Sequence, residues 1–229
     1  MIHSPLETPA QLHVGPVGIT EPVIVTWAII GLIVGLSAVV SRKLDPVPAK
    51  VQTVLEILVS AVDDQIGDTM QVEPGPYRAF IGTLFVFILV ANWSSLIPGV
   101  EPPTSHLETD AALAALVFCA TIFYGVRSRG VLGYLATFTE PTWVMIPLNI
   151  VVQFTRIFSL FVRLFGNIMS GVFIGAIVLS LAGLLVPIPL MALDLLTGAV
   201  QAYIFAVLAT VFIGAAVGER HKVQSLPGA

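Results

Sequence analysis

The sequence predicts an all-α polytopic membrane protein: five transmembrane helices plus one amphipathic interfacial helix, the last two membrane helices long and tilted. Three observations carry this. Of 229 residues, 56% are hydrophobic and only 10% charged, whereas a soluble domain carries roughly a quarter charged residues. Mean hydropathy is +0.96, leaving too little polar surface to clothe a water-soluble globule. The basic residues gather between apolar runs in a one-sided pattern. A net charge of −4 supplies no field for a phosphate backbone, so nucleic acid is excluded as a partner. The single cysteine, Cys119, excludes a disulfide framework and a cysteine-based zinc site.

Residues 1–22 hold Pro5, Pro9, Pro16 and Pro22 with the acids Glu7 and Glu21. They are expected to form a solvated extracytoplasmic leader. A removable signal opens with positive charge, and the first basic residue is Arg42. The first span is expected over about Val23 to Val40. Its Gly31 and Gly35 form a small-xxx-small pair that lets another helix approach.

Residues 48–68 differ. Val51, Val54, Leu55, Leu58, Val59, Val62 and Ile66 recur at three- and four-residue steps, the helical period. Lys50, Gln52, Glu56, Asp63 and Asp64 occupy the other positions. This predicts an amphipathic helix at the interface or against a partner, with Glu56, Asp63 and Asp64 exposed.

The second span is expected over about Tyr77 to Ile97, and the third over about Ala111 to Val126, ending at Arg127 and Arg129. Residues 130–142, interrupted by Glu140-Pro141, predict a connector or short surface helix. Two apolar stretches follow, Trp143 to Leu185 and Leu190 to Val217, separated by Pro187 and Pro189, which break a helix. As a helix the first would run about 65 Å, twice a bilayer core. It is two spans or one long, tilted helix.

Charge placement decides between them. With one span there, Arg42, Lys43, Lys50, Arg78, Arg127, Arg129, Arg220 and Lys222 all fall on one side. The opposite loops, including 98–110 with Glu101, Glu108 and Asp110, hold no Lys or Arg. The basic side is cytoplasmic by the positive-inside rule. Five spans follow, N-terminus outside and C-terminus cytoplasmic, with 218–229 as a cytoplasmic tail and the whole of 1–229 as one membrane domain.

Two basic residues remain, Arg156 and Arg163, inside the long apolar stretch. An Arg at the centre of a lipid-exposed helix costs about 2.5–3.5 kcal/mol on insertion scales, so it faces protein or water and is functional by default. At 100° per residue, Asn149, Gln153, Arg156, Arg163, Asn167 and Ser170 fall within an arc of about 100°, the opposite face being Leu, Ile, Val and Phe. Such a polar strip marks a hydrated path or a helix interface. Arg156, nearer the cytoplasmic end, fits equally a side chain snorkelling to the rim. Asp194, Thr197, Gly198 and Gln201 share a similar arc in the last span. Asp194 is the only acid between Glu140 and Glu219. It serves either that strip or the outer interface, and Gln201 either lines a path or bonds across to the long helix. His3, His13, His106 and His221 lack metal-ligand spacing and are expected to be solvated. Cys119 is expected to pack. No metal site, P-loop or other cofactor site is legible.

Ser159-Leu160-Phe161-Val162-Arg163-Leu164-Phe165-Gly166-Asn167 closely resembles the signature of subunit a of the F-type ATP synthase (the ATPase subunit 6 family). Pro147-Leu148-Asn149 with Arg156 resembles that family's lead-in, and Gln201-Ala202-Tyr203-Ile204-Phe205 its last-helix motif. The resemblance extends over nearly the whole chain. It implies a non-catalytic, ion-translocating stator subunit of the Fo sector, with no cofactor of its own, in the plasma (inner) membrane of a prokaryote. Its implied partners are a ring of c subunits, b-type peripheral stalk subunits, membrane lipid and, indirectly, the F1 sector. Two half-channels would carry H+ or Na+ to and from the ring carboxylates, coupling ion flow to ATP synthesis or hydrolysis. Arg163 matches the family's essential arginine, Asn167 and Gln201 match polar path residues, and Asp194 falls where the family places a titratable group of the outer half-channel.

The chain departs from the pattern at three places. It has Gly171-Val172 where many relatives carry Glu or His after the glycine, Val152-Gln153 where many have acids, and Ile157 where many have Pro. On this reading Asp194 is the sole intramembrane acid. A secondary transporter or channel component with an Arg163/Asp194 substrate site is the alternative. It lacks the internal repeat and paired broken helices such proteins show.

Overall fold

The structure, a computed structural model, describes residues 12–14, 17–19, 21–41, 50–97, 100, 102–139, 146–182 and 187–218. Within the expected leader, Leu12–Val14 (β1) and Val17–Ile19 (β2) form a small antiparallel hairpin, Leu12 opposite Ile19. Six helices follow: α1 Glu21–Ser41, α2 Lys50–Met70, α3 Gly75–Trp93, α4 Leu107–Thr139, α5 Ile146–Ala182 and α6 Pro187–Val217. Among the described residues, α1, α3, α4, α5 and α6 each contain a stretch long and apolar enough to cross a membrane. The chain is a multi-pass, all-α membrane protein with one further, amphipathic helix.

The apolar faces of α3, α4, α5 and α6 close on one another. Leu84 and Ile88, Leu113 and Val117, Leu160 and Leu164, and Ala202, Phe205 and Ala209 form the main core. Small residues line the buried face of α6 (Ala202, Ala206, Ala209, Ala216), which lets its backbone approach its neighbours where no hydrophobic force separates helix from lipid. By contrast α1 is largely exposed, with Trp27, Leu32, Val34 and Leu36 all outward. Nothing in the described chain lies within 4 Å of a methyl group placed on Gly31 or Gly35. The close approach expected there does not occur among the described residues.

Helix α2 meets the bundle through its C-terminal half. Ile66 and Met70 pack with Ile81 of α3 and Ile213 and Val217 of α6. It ends at Gln71, whose φ of 53° and N–H bond of 2.9 Å to Gly67 O form a left-handed cap. Glu56 and Asp64 are exposed as expected. Asp63 is half-buried and ion-paired with Arg78 of α3 at 2.5 Å, because the turn at 71–74 brings the start of α3 back alongside it.

The third span differs most from expectation. It starts at Leu107, not Ala111, with Glu108 and Asp110 in its first turn, where negative charge meets the positive end of the helix dipole. It continues past Arg127 and Arg129 to Gly130, whose φ of 76° and ψ of 166° break the helix. An L side chain rarely adopts that φ, so glycine sets the bend. The following turns fold back, so that the Tyr134 ring lies over Gly125. Arg129 Nε then donates to Val217 O at 2.9 Å, tying α4 to the end of α6. Cys119 is exposed, not packed, because it lies on the face of α4 turned away from the core.

The stretch expected as either two spans or one is a single helix, α5. Helix α5 ends at Ala182, so a break falls before the prolines as expected, and Pro187 and Pro189 occupy the first turn of α6. There the missing N–H is one the helix could not have used. Residues 1–11, 42–49, 140–145 and 219–229 lie outside the described residues, and with them most of the leader and the C-terminal tail.

Candidate functional site at the α5–α6 pair

Two contacts set the register of α5 against α6. The Asp194 carboxylate lies so close to Gly171 that a methyl group there would come within 2.8 Å of Oδ1. The Arg156 guanidinium lies 5.5 Å from the centre of the Phe212 ring. The helices are therefore antiparallel. Counting eight residues from Gly171 to Arg163, and seven from Asp194 to Gln201, places Gln201 level with Arg163. At 1.5 Å per residue Gln201 lies about 11 Å along the axis from Asp194.

The polar strip of α5 is more mixed than its sequence implies. Leu160, inside the same arc as Asn149, Gln153 and Arg156, and Leu164, just beyond its Gln153 edge, are both buried to within 1%. That arc therefore turns toward the bundle, while Phe154, Phe158 and Val162 opposite are exposed. Asn149, Gln153 and Arg156 are half-buried; Arg163, at the margin of the arc, is exposed, as is Ser170. Among the described residues no acid pairs with Arg163: the one salt bridge is Arg78–Asp63. The side chain of Asn167 lies outside the described residues. On α6, Asp194 is exposed. Gln201 is buried, and its Nε2 has no hydrogen-bond partner.

A second polar group meets α6 at Gly198, one turn from Asp194, where α3 finishes and α4 begins. Asn92 Nδ2 donates to Gly198 O at 2.9 Å, and Thr104 Oγ1 donates to Asn92 Oδ1 at 2.9 Å. Next to Asn92, Trp93 Nε1 donates to Leu195 O at 3.2 Å. Thr104 sits in a short 3-10 turn, Pro103–Ser105, which tucks into the bundle against α1, α3, α4 and α5. His106 follows, buried and not solvated, because that tucked turn carries it inward. Asp110, one turn into α4, is fully buried, and neither carboxylate oxygen has a hydrogen-bond partner in the protein. Asp194 is therefore not the sole acid within the membrane helices. The acids following two prolines mark a helix start, the one sequence signal that pointed to an earlier beginning for this span.

Residues 23–214 match the family described as ATP synthase A chain. The chain belongs to that family. It is 54% identical over 222 residues, 97% of this chain and 100% of the relative, to ATP synthase subunit a 2 of Bradyrhizobium sp. (strain BTAi1 / ATCC BAA-1182). It is 45% identical to ATP synthase subunit a 2 of Picosynechococcus sp., covering 91% of this chain and 90% of the relative. With ATP synthase subunit a 1 of Chlorobaculum parvum it shares 47% identity, covering 89% and 91% respectively. Membership of the ATP synthase A chain family makes this a membrane-embedded component of an ATP synthase and agrees with the resemblance drawn from Arg163 and Gln201.

Proposed function

We propose that this chain is the stator ion-channel subunit of the Fo sector of a rotary F-type ATP synthase. It is non-catalytic, and provides two half-channels carrying H+ or Na+ to and from the carboxylates of a c-subunit ring. The supporting observation is Arg163: exposed on α5, level with Gln201, and without an acid partner among the described residues. A guanidinium remains charged when partly desolvated, and a fixed positive charge favours the ionised form of a carboxylate brought beside it. Arg163 would thus draw each ring carboxylate into ionised form and separate the half-channels. Because no acid among the described residues holds it, the pairing can form and break at each step.

On this reading Asp194 serves the outer half-channel. Gln201 and Asn167 line the path near Arg163, with Ser170 on the outer side and Gln153, Asn149 and Arg156 continuing the strip toward the cytoplasm. The outer face of the bundle would carry the leader, and the cytoplasmic face the tail and α2, which b-type stalk subunits would meet; F1 is reached through them. The membrane would be the plasma (inner) membrane of a prokaryote. The test is ATP-driven ion uptake by the whole complex in vesicles. An assembled Arg163→Ala complex should show none; uptake at the wild-type rate would overturn the reading.

A further inference from the structure

We propose that Asp110 is a second ion-carrying carboxylate of this subunit, joined to Asp194 through Thr104, Asn92 and the Gly198 carbonyl. The inference rests on the outer half-channel reading above and deepens it.

The argument begins with burial. Asp110 has no exposed surface, and both its oxygens lack a protein hydrogen-bond partner. An isolated ionised carboxylate is intolerable in such surroundings, where the desolvation cost is large unless a counter-charge or proton is supplied. A buried titratable group within a membrane helix is a functional candidate by default. Among the described residues the one salt bridge is Arg78–Asp63, on α2 and α3, and neither Asp110 oxygen meets a donor. A single positive charge suffices to neutralise it. The carboxylate is suited to take up one monovalent cation, H+ or Na+, and release it unchanged.

Its neighbours make a route. The Asp110 N–H bonds to the carbonyl of His106 at 3.3 Å, and the His106 N–H to that of Pro103 at 3.2 Å, so Asp110, His106 and Thr104 follow one another along a tucked segment. Thr104 bonds Asn92, and Asn92 bonds Gly198. Gly198 lies one turn along α6 from Asp194. Three buried polar side chains, His106, Thr104 and Asn92, lie along this segment. The Thr104 and Asn92 oxygens suit either a hydrated proton or a hard cation. A purely structural cluster would use its polar atoms on one another, as Asn92 and Thr104 do. Asp110 leaves two acceptors unused.

The experiment uses the whole complex in vesicles, with Asp110→Asn and Thr104→Val alongside Arg163→Ala, and uptake of H+ and of Na+ followed separately. Asp110→Asn keeps shape and removes the charge; it should lower ATP-driven uptake at least tenfold while the complex assembles. Thr104→Val removes the hydroxyl that bonds Asn92 and should lower uptake severalfold. The ion whose uptake falls identifies the cargo. Wild-type uptake in an assembled Asp110→Asn complex, while Arg163→Ala abolishes it, would overturn this inference and leave the general reading intact. Wild-type uptake in Arg163→Ala would overturn the general reading. A second arm places Cys at Asp110 in a Cys119→Ser background. A small water-soluble methanethiosulfonate added on the outer side should modify it; an unreactive thiol at this position would overturn the inference. Should Asp110→Asn and Asp110→Cys both fail to assemble, Thr104→Val decides alone, and wild-type uptake there refutes the route.

Discussion

The Asp194 carboxylate of α6 rests on the backbone of α5 at Gly171, with room for no side chain between them. A methyl group on Gly171 would meet Oδ1 at 2.8 Å and Oδ2 at 3.0 Å. Real carbon–oxygen contacts avoid that separation, so the acid occupies its place only because residue 171 has no Cβ. The same contact fixes which residues of α5 and α6 stand level, and hence puts Gln201 at the level of Arg163.

Gly171→Ala should therefore displace the Asp194 carboxylate without disturbing the helix, since alanine is the better helix former by about 1 kcal/mol. The expected outcome is a fully assembled complex with ATP-driven uptake reduced severalfold. Uptake measured in vesicles beside an immunoblot for the subunit separates the two effects. Unchanged uptake would mean that the seat of Asp194 on Gly171 is without consequence.

Arg156 and Phe212 offer a different test. The guanidinium over the ring, at 5.5 Å, is worth about 0.5–2 kcal/mol in a cation–π contact. Phe212→Leu should lower the thermal stability of the complex in detergent by that order and leave uptake intact, because the charge at Arg156 remains. Arg156→Ala removes both. If Arg156 only anchors α5 to α6, the two variants will match in uptake; if it belongs to the ion path, Arg156→Ala alone will slow transport.

Much of this architecture was legible in the sequence because membrane insertion writes itself in composition. Spans are set by apolar length and their direction by Lys and Arg, so five crossings and the isolated Arg163 stood out before any coordinates. The polar strip was legible only in part. Helical phase places Leu160 among the polar residues and Leu164 just beyond them, but packing alone shows that this arc faces inward. Asp110 was unreadable for a related reason. The acids after two prolines mark a helix start, but the burial of Asp110 depends on the Pro103–Ser105 turn folding into the bundle. His106 was misjudged with it. Cys119 and the glycines of α1 failed the other way, since position within an apolar helix does not say which face meets protein.

Helix α2 should label asymmetrically. Glu56 and Asp64 are exposed, whereas Asp63 is half-buried and paired with Arg78. In a Cys119→Ser background, Cys at Glu56 or Asp64 should react quickly with a membrane-impermeant maleimide from the cytoplasmic side. Cys at Asp63 should react more slowly. The Asp63–Arg78 pair itself is solvent-accessible and should contribute little to stability, so Asp63→Asn should leave assembly unchanged. Protection of Glu56 and Asp64 from both sides would remove α2 from the membrane surface.

Arg163 permits a sharper separation of charge from geometry than its deletion. Both Lys and Arg are positive, yet the guanidinium is planar, weakly hydrated and spreads its charge over a fork of donors, while an ammonium is compact and strongly hydrated. In a site where a carboxylate must arrive, ionise and leave, a strongly hydrated charge holds water and reaches a different point. Arg163→Lys should therefore assemble, keep the half-channels separated and still fall at least tenfold in ATP-driven uptake. Arg163→Ala should lose uptake and also admit a passive leak, because no fixed charge then bars ions from crossing between the half-channels. Leak is measured as the decay of an imposed ion gradient in vesicles without ATP. Equal leak in both variants would show that charge is not the barrier, and wild-type uptake in Arg163→Lys would show that geometry is not the requirement.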